Sequence, residues 1–85
     1  MAEKTIPYRK LRKILKSFGI VEDASRGKGS ERMFIGVSEG RVVKYPTKCH
    51  SEGDMKPKGV IRAIRRAFHL TEDDGVTDHD FYSRA

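Results

Sequence analysis

Between residues 8 and 68 the spacing of apolar side chains changes period twice, and few architectures satisfy both changes. Tyr8, Leu11, Ile14, Leu15 and Phe18 recur at helical spacing, while Arg9, Lys10, Arg12, Lys13 and Lys16 fill the rest of the circumference. From Arg32 to Val37 the period is two, with Met33, Ile35 and Val37 on one side and Arg32, Phe34 and Gly36 on the other. Helical spacing then returns in Val60, Ile61, Ile64, Ala67 and Phe68, with Lys58, Arg62, Arg65 and Arg66 expected outside. A half-apolar sheet must bury one face, and two helices with one apolar stripe each are what it can bury it against. The expected fold is therefore α+β, a two-layer sandwich in the order α-β-β-β-α.

Local signals set the boundaries. Thr5 is placed to cap the first helix ahead of Pro7, whose fixed φ suits a first turn, and Gly19 to end it in a left-handed cap. Ile20 and Val21 begin a short strand, interrupted by residues 25–29. Ser38-Glu39-Gly40-Arg41 reads as a tight turn, with Arg41 to Tyr45 returning as the partner strand. Pro46 lacks an amide donor and is expected to end the pairing, leaving residues 47–56 as a loop. Pro57 suits the first turn of the second helix. Gly59, unfavourable inside a helix, suggests the close approach of a backbone or a phosphate. The expected division is a domain over residues 1–70 and a partly ordered acidic tail over 71–85. Val76, Phe81 and Tyr82 make that tail apolar enough to dock, with a turn of helix near Asp78 to Tyr82.

Charge narrows the class of partner. Residues 1–70 carry 17 Lys+Arg against 7 Asp+Glu, a net +10, whereas residues 71–85 carry Arg84 against five acids, a net −4. So basic a body commonly meets a polyanion, nucleic acid first among them. Eighty-five residues make one small domain, without an apolar run long enough for a bilayer and without a secretory leader pattern, so the expected setting is cytoplasmic with no membrane partner. The single Cys49 cannot form an intrachain disulfide, and Cys49 with His50 supplies too few ligands for structural zinc. No metal and no cofactor are expected.

One loop concentrates the chemistry. Arg26-Gly27-Lys28-Gly29-Ser30-Glu31-Arg32 combines three cations, a hydroxyl and two glycines that let a ligand approach without meeting a Cβ. Such a surface suits phosphate. The competing account is a turn into the strand whose charges face water. Glu31 either pins the cations or acts as a base. Similarly, the five cations of the first helix serve equally as a solvated face or as phosphate contacts.

Several of these residues, in this order, resemble the HicA-like (YcfA-like) toxins of toxin-antitoxin systems: Phe18-Gly19 ending the first helix, Gly29-Ser30 ahead of Phe34, Pro46, and Met55-Lys56-Pro57-Lys58-Gly59-Val60-Ile61-Arg62-Ala63-Ile64 opening the second helix. The resemblance covers about residues 7 to 70. It implies a fold similar to a double-stranded-RNA-binding domain and an mRNA interferase, a ribosome-independent endonuclease held inactive by a HicB-like antitoxin. The family's pattern is Gly-Ser-His, its histidine carrying catalysis; here Glu31 follows Ser30. Histidine titrates near neutral pH and serves as acid or base. With Glu31 in its place, metal-independent cleavage by 2′-hydroxyl attack would use Glu31 as base, His50 as acid, and Lys28 or Arg32 as the cation facing the phosphorane. The candidate catalytic residues are thus Glu31 and His50, and the candidate RNA contacts Arg26, Lys28, Gly29, Ser30, Arg32, Lys56 and Lys58. Two alternatives stand beside this one: a non-catalytic RNA-binding module, and a basic protein-interaction domain.

Overall fold

The computed structural model describes residues 5–23, 31–48, 51 and 53–85. Among them are strand β1 (Ile6–Pro7), helix α1 (Tyr8–Ser17), strands β2 (Val21–Asp23), β3 (Glu31–Ser38), β4 (Arg41–Lys48) and β5 (Met55–Lys56), helix α2 (Lys58–Ala67), a 3-10 turn (Glu72–Asp74) and helix α3 (Asp78–Ser83). The result is a small α+β unit of three helices and antiparallel sheets.

Both long helices begin after an extended proline and end on a residue of positive φ. Thr5 does not cap α1. Pro7 occupies the N-cap with φ −68° and ψ 153°, because Ile6–Pro7 is held extended against Met55–Lys56 in a two-stranded antiparallel ladder. The Tyr8 amide, which a helix start leaves without an intrahelical acceptor, donates to the Asp54 carbonyl at 2.8 Å. Pro57 plays the same part for α2. At the other end of α1, Gly19 has φ +85°, its amide donates to Lys16 O, and the Ile20 amide donates to Leu15 O. That pair of bonds is a Schellman motif. The α2 terminus repeats it with His69 at φ +58° and Leu70 N donating to Arg65 O at 2.7 Å.

The main sheet has the order β2-β3-β4, antiparallel throughout. Register sets its faces: Phe34 opposes Tyr45 and Gly36 opposes Val43 on the helix side, while Ile35 opposes Val21 and Lys44, and Val37 opposes Val42, on the other. The helix side is the buried one. Phe34 is fully buried, whereas Val37 and Val42 are exposed. At Gly36 the layers approach so closely that a Cβ would lie 2.7 Å from Ile20 Cγ1 and 3.3 Å from the Phe68 ring. The hairpin closes through Glu39 and Gly40, both at positive φ, as a two-residue turn of matching twist requires. Pro46 does not end the pairing. It sits inside β4 opposite Met33, since β4 is an edge strand and an edge accommodates a residue with no donor on its open side.

The core joins the α1 stripe (Tyr8, Leu11, Ile14, Leu15), the α2 stripe (Ile61, Ile64, Phe68), Phe34 from the sheet, and Phe81 and Tyr82 from α3. Full burial of each such side chain contributes about 1.5–3 kcal/mol. Phe81 has no exposed surface, its ring stacks at 6.1 Å on Phe18 and meets Tyr82 edge-on at 5.2 Å. Arg65, expected outside, is only 4% exposed. Its Nε donates to Leu70 O (2.8 Å), Nη1 to Asp78 Oδ1 (2.6 Å) and Nη2 to Val76 O (2.9 Å), and its guanidinium lies 4.7 Å from the Phe81 ring centre. The residues after α2 supply the acceptors that make burial of this cation tolerable. Among the described residues no helix is long and apolar enough to cross a membrane.

Candidate nucleic-acid interface

Helix α1 holds its apolar stripe in the core and therefore turns its cations outward. Arg9, Arg12, Lys13 and Lys16, with Ile20, Val21 and Glu22, line an open groove of about 420 Å³ between α1 and β2. The helix has no acidic residue in its first turn and carries Lys16 in its last. Ten residues span about 15 Å, so this row of positive charge runs across several phosphate spacings of a nucleic-acid strand.

At one end of the groove, three elements converge on a carboxylate. Glu22 of β2 faces the helices, since its cross-strand neighbour is Phe34. Glu22 Oε2 accepts a hydrogen bond from the hydroxyl of buried Tyr8. The same oxygen lies 3.5 Å from Arg32 Nε, and Oε1 lies 3.6 Å from Arg12 Nη1. The Tyr8 ring is held by stacking on Phe34 at 5.8 Å, with the Arg12 guanidinium 5.6 Å and the Lys56 ammonium 5.8 Å from its centre.

Of the residues singled out from the sequence, Arg26, Lys28, Gly29, Ser30 and His50 lie outside the described residues. Arg32 joins the Glu22 cluster, and its Nη1 also donates to the Glu31 carbonyl at 2.9 Å. Glu31 is exposed and, opposite Lys48, belongs to the other face of the sheet from Arg32. Lys56 is 8% exposed; its ammonium donates to the Lys48 carbonyl and pairs with Asp54 at 3.3 Å, so it serves the inside of the fold. Lys58 is exposed at the start of α2. Tyr8 and Glu22 were not expected at the site, and Arg12 only as one of the five cations of α1 that serve as a solvated face or as phosphate contacts. The available signal was that Glu22 is the first acid after the five cations of residues 9–16.

A second groove, of about 440 Å³, has a different electrostatic character. Arg62, Arg65 and Arg66 line it together with Thr71, Glu72, Asp73 and Asp78. Glu72, Asp73 and Asp78 thus lie beside the cations of α2, whereas Asp80 pairs with Arg84 at 3.4 Å; among the described residues none of the acids after α2 lines the α1 groove. Among the described residues no group of three or more His, Cys, Asp or Glu side chains is placed to hold a metal ion. Comparison with protein-family models, with curated proteins and with solved structures finds no match to the chain.

Proposed function

We propose that this chain is an RNA-directed protein that grips the sugar-phosphate backbone along α1, and that it acts as the HicA-like toxin of a pair with a HicB-like antitoxin in the cytoplasm. The observation that carries the RNA reading is the partition of charge between the grooves: among the described residues four cations and one carboxylate line the α1 groove, whereas three arginines meet three acids in the other. A field of one sign on one groove is what attracts and orients a polyanion. The aromatic residues point the same way. Tyr8, Phe34, Phe68, Phe81 and Tyr82 are buried and Phe18 and Tyr45 are half-buried, so no Phe or Tyr ring is exposed as a platform for stacking bases, which favours contact with phosphates and 2′-hydroxyls. With the short β1–β5 ladder and α3 set aside, the succession α1, β2, β3, β4, α2 supports the reading, since it is compatible with the double-stranded-RNA-binding-domain order that the HicA resemblance implies.

The test is titration of a fluorescein-labelled RNA with wild type and with Lys13→Glu/Lys16→Glu. Both substitutions fall on exposed positions, so the variant should fold. Wild type is expected to bind at low salt, and the reversal to weaken binding by a factor of ten or more, on the order of tenfold per 1.4 kcal/mol lost. Equal binding by the two proteins contradicts the proposal, and no RNA binding alongside tight binding to an antitoxin-like partner favours the protein-interaction alternative.

Cleavage is the second layer of the reading, supported by one register. Glu31 is the cross-strand neighbour of Lys48, and His50 follows Lys48 by two positions in the sequence. In the reaction Glu31 takes the proton of a ribose 2′-hydroxyl, the oxygen attacks the adjacent phosphorus, and His50 protonates the departing 5′-oxygen, giving a 2′,3′-cyclic phosphate and a 5′-hydroxyl. Metal-free degradation of RNA by wild type, lost in both Glu31→Gln and His50→Ala, is the expected result. Intact RNA with wild type leaves a non-catalytic RNA-binding module.

A further inference from the structure

A carboxylate in the lining of a cationic groove opposes anion binding if charge alone counts, and among the described residues Glu22 is the one acid lining the α1 groove. Its geometry argues for a different role. Glu22 belongs to β2, Arg12 to α1 and Arg32 to β3, and each carboxylate oxygen takes one guanidinium, at 3.6 and 3.5 Å. The carboxylate is itself oriented by the hydroxyl of Tyr8, a side chain with no exposed surface, stacked on the equally buried Phe34. Exposure rises outward from this anchor. The Glu22 side chain is 16% exposed, Arg32 24% and Arg12 35%, so the carboxylate is the most covered of the three and each arginine keeps more contact with solvent. Arg32 Nη1 also donates to the Glu31 carbonyl at 2.9 Å, and a guanidinium presents its N–H donors in a rigid plane that matches the oxygens of a phosphate.

We propose that Glu22 is a positioning residue: it orients the Arg12 and Arg32 guanidiniums into a paired fork that holds one RNA phosphate at the mouth of the α1 groove. The inference rests on the RNA-binding reading above and adds the place where the backbone is held most tightly. Ordering long side chains before the ligand arrives removes part of the entropic cost of binding, and planar forks accept phosphate oxygens in bidentate fashion where an ammonium offers a point charge.

The experiment titrates a fluorescein-labelled RNA oligonucleotide, at several salt concentrations, with the full chain as wild type, Glu22→Gln and the double variant Arg12→Lys/Arg32→Lys. Thermal unfolding of each is followed alongside. Removing a negative charge would tighten binding if Glu22 acted through its charge. The proposal expects the opposite for Glu22→Gln, a loss of roughly tenfold with a shallower salt slope. It expects a loss of similar size for the lysine pair, whose charge is unchanged. Glu22→Gln that unfolds like wild type and binds RNA equally or more tightly overturns the inference, as does wild-type affinity in the lysine pair. If Glu22→Gln does not fold, the lysine pair decides alone. Wild type that binds no RNA at low salt overturns the RNA reading itself, a result seen before any variant is compared.

Discussion

Arg65 carries its charge at 4% exposure because three of its nitrogens each meet an oxygen from the segment that follows α2. Removing it strands two carbonyls and the Asp78 carboxylate, and Arg65→Met is expected to cost about 2–4 kcal/mol in urea unfolding, with Arg65→Lys recovering only part of the loss. A cost below about 0.5 kcal/mol, the range of an ordinary surface change, would contradict this account of the residue. Asp74 gives a second prediction at this scale. The Thr71 hydroxyl, then the Thr71 amide, donate to its carboxylate and hold its pKa below the ordinary 3.8. A lowered folded pKa means the contribution is complete above the unfolded value and is lost as pH falls through the folded one. NMR titration should therefore place the Asp74 midpoint below 3.8 and Thr71→Ala should raise it; a wild-type midpoint at or above 3.8 contradicts the arrangement. Neither Arg65 nor Glu22 was legible as a buried partner in the sequence. An arginine among Arg62, Arg65 and Arg66 reads as surface until its acceptors are known, and those come from residues 70–78.

At the scale of elements, spacing carried the reading well where a whole face is apolar. Both helical stripes and the hairpin turn are where Tyr8–Phe18, Val60–Phe68 and Glu39-Gly40 place them, because helix and strand periods follow from backbone geometry alone. The β1–β5 ladder was not legible. Two residues carry no period, and their pairing depends on a partner about fifty positions away. Pro46 misled for a related reason, since whether its missing donor matters depends on β4 being an edge. Two substitutions probe these elements. His69 takes the left-handed position of the α2 terminus that Gly19 takes in α1, so His69→Gly should stabilise the protein by about 0.5–1 kcal/mol. Gly36→Ala should destabilise it by about 1–3 kcal/mol, the new methyl forcing Ile20 and Phe68 apart. Urea denaturation measures both, and the reverse sign in either case would contradict the packing described.

For the molecule as a whole, the residues after Leu70 do two things at once. Phe81 and Tyr82 complete the core beneath α1, and Arg65 ties the same segment to α2. Deleting residues 72–85 should therefore abolish the cooperative thermal transition; a truncated chain that unfolds like wild type would contradict that role. Glu72, Asp73 and Asp78 of this segment stand beside α2, and among the described residues none of its acids joins the row of cations lining the α1 groove. This division was visible in the sequence only as a +10 body and a −4 tail, because which helix the tail would neutralise depends on where it docks. The central claim is that the α1 groove holds an RNA backbone through ionic contacts, and the salt dependence of RNA affinity tests it most directly. With Arg9, Arg12, Lys13, Lys16 and Arg32 engaged, log K should fall linearly with log salt at a slope of about −3.5, roughly 0.7 for each phosphate of a single strand. A slope indistinguishable from zero, or the same slope after Lys13→Glu/Lys16→Glu, would contradict it.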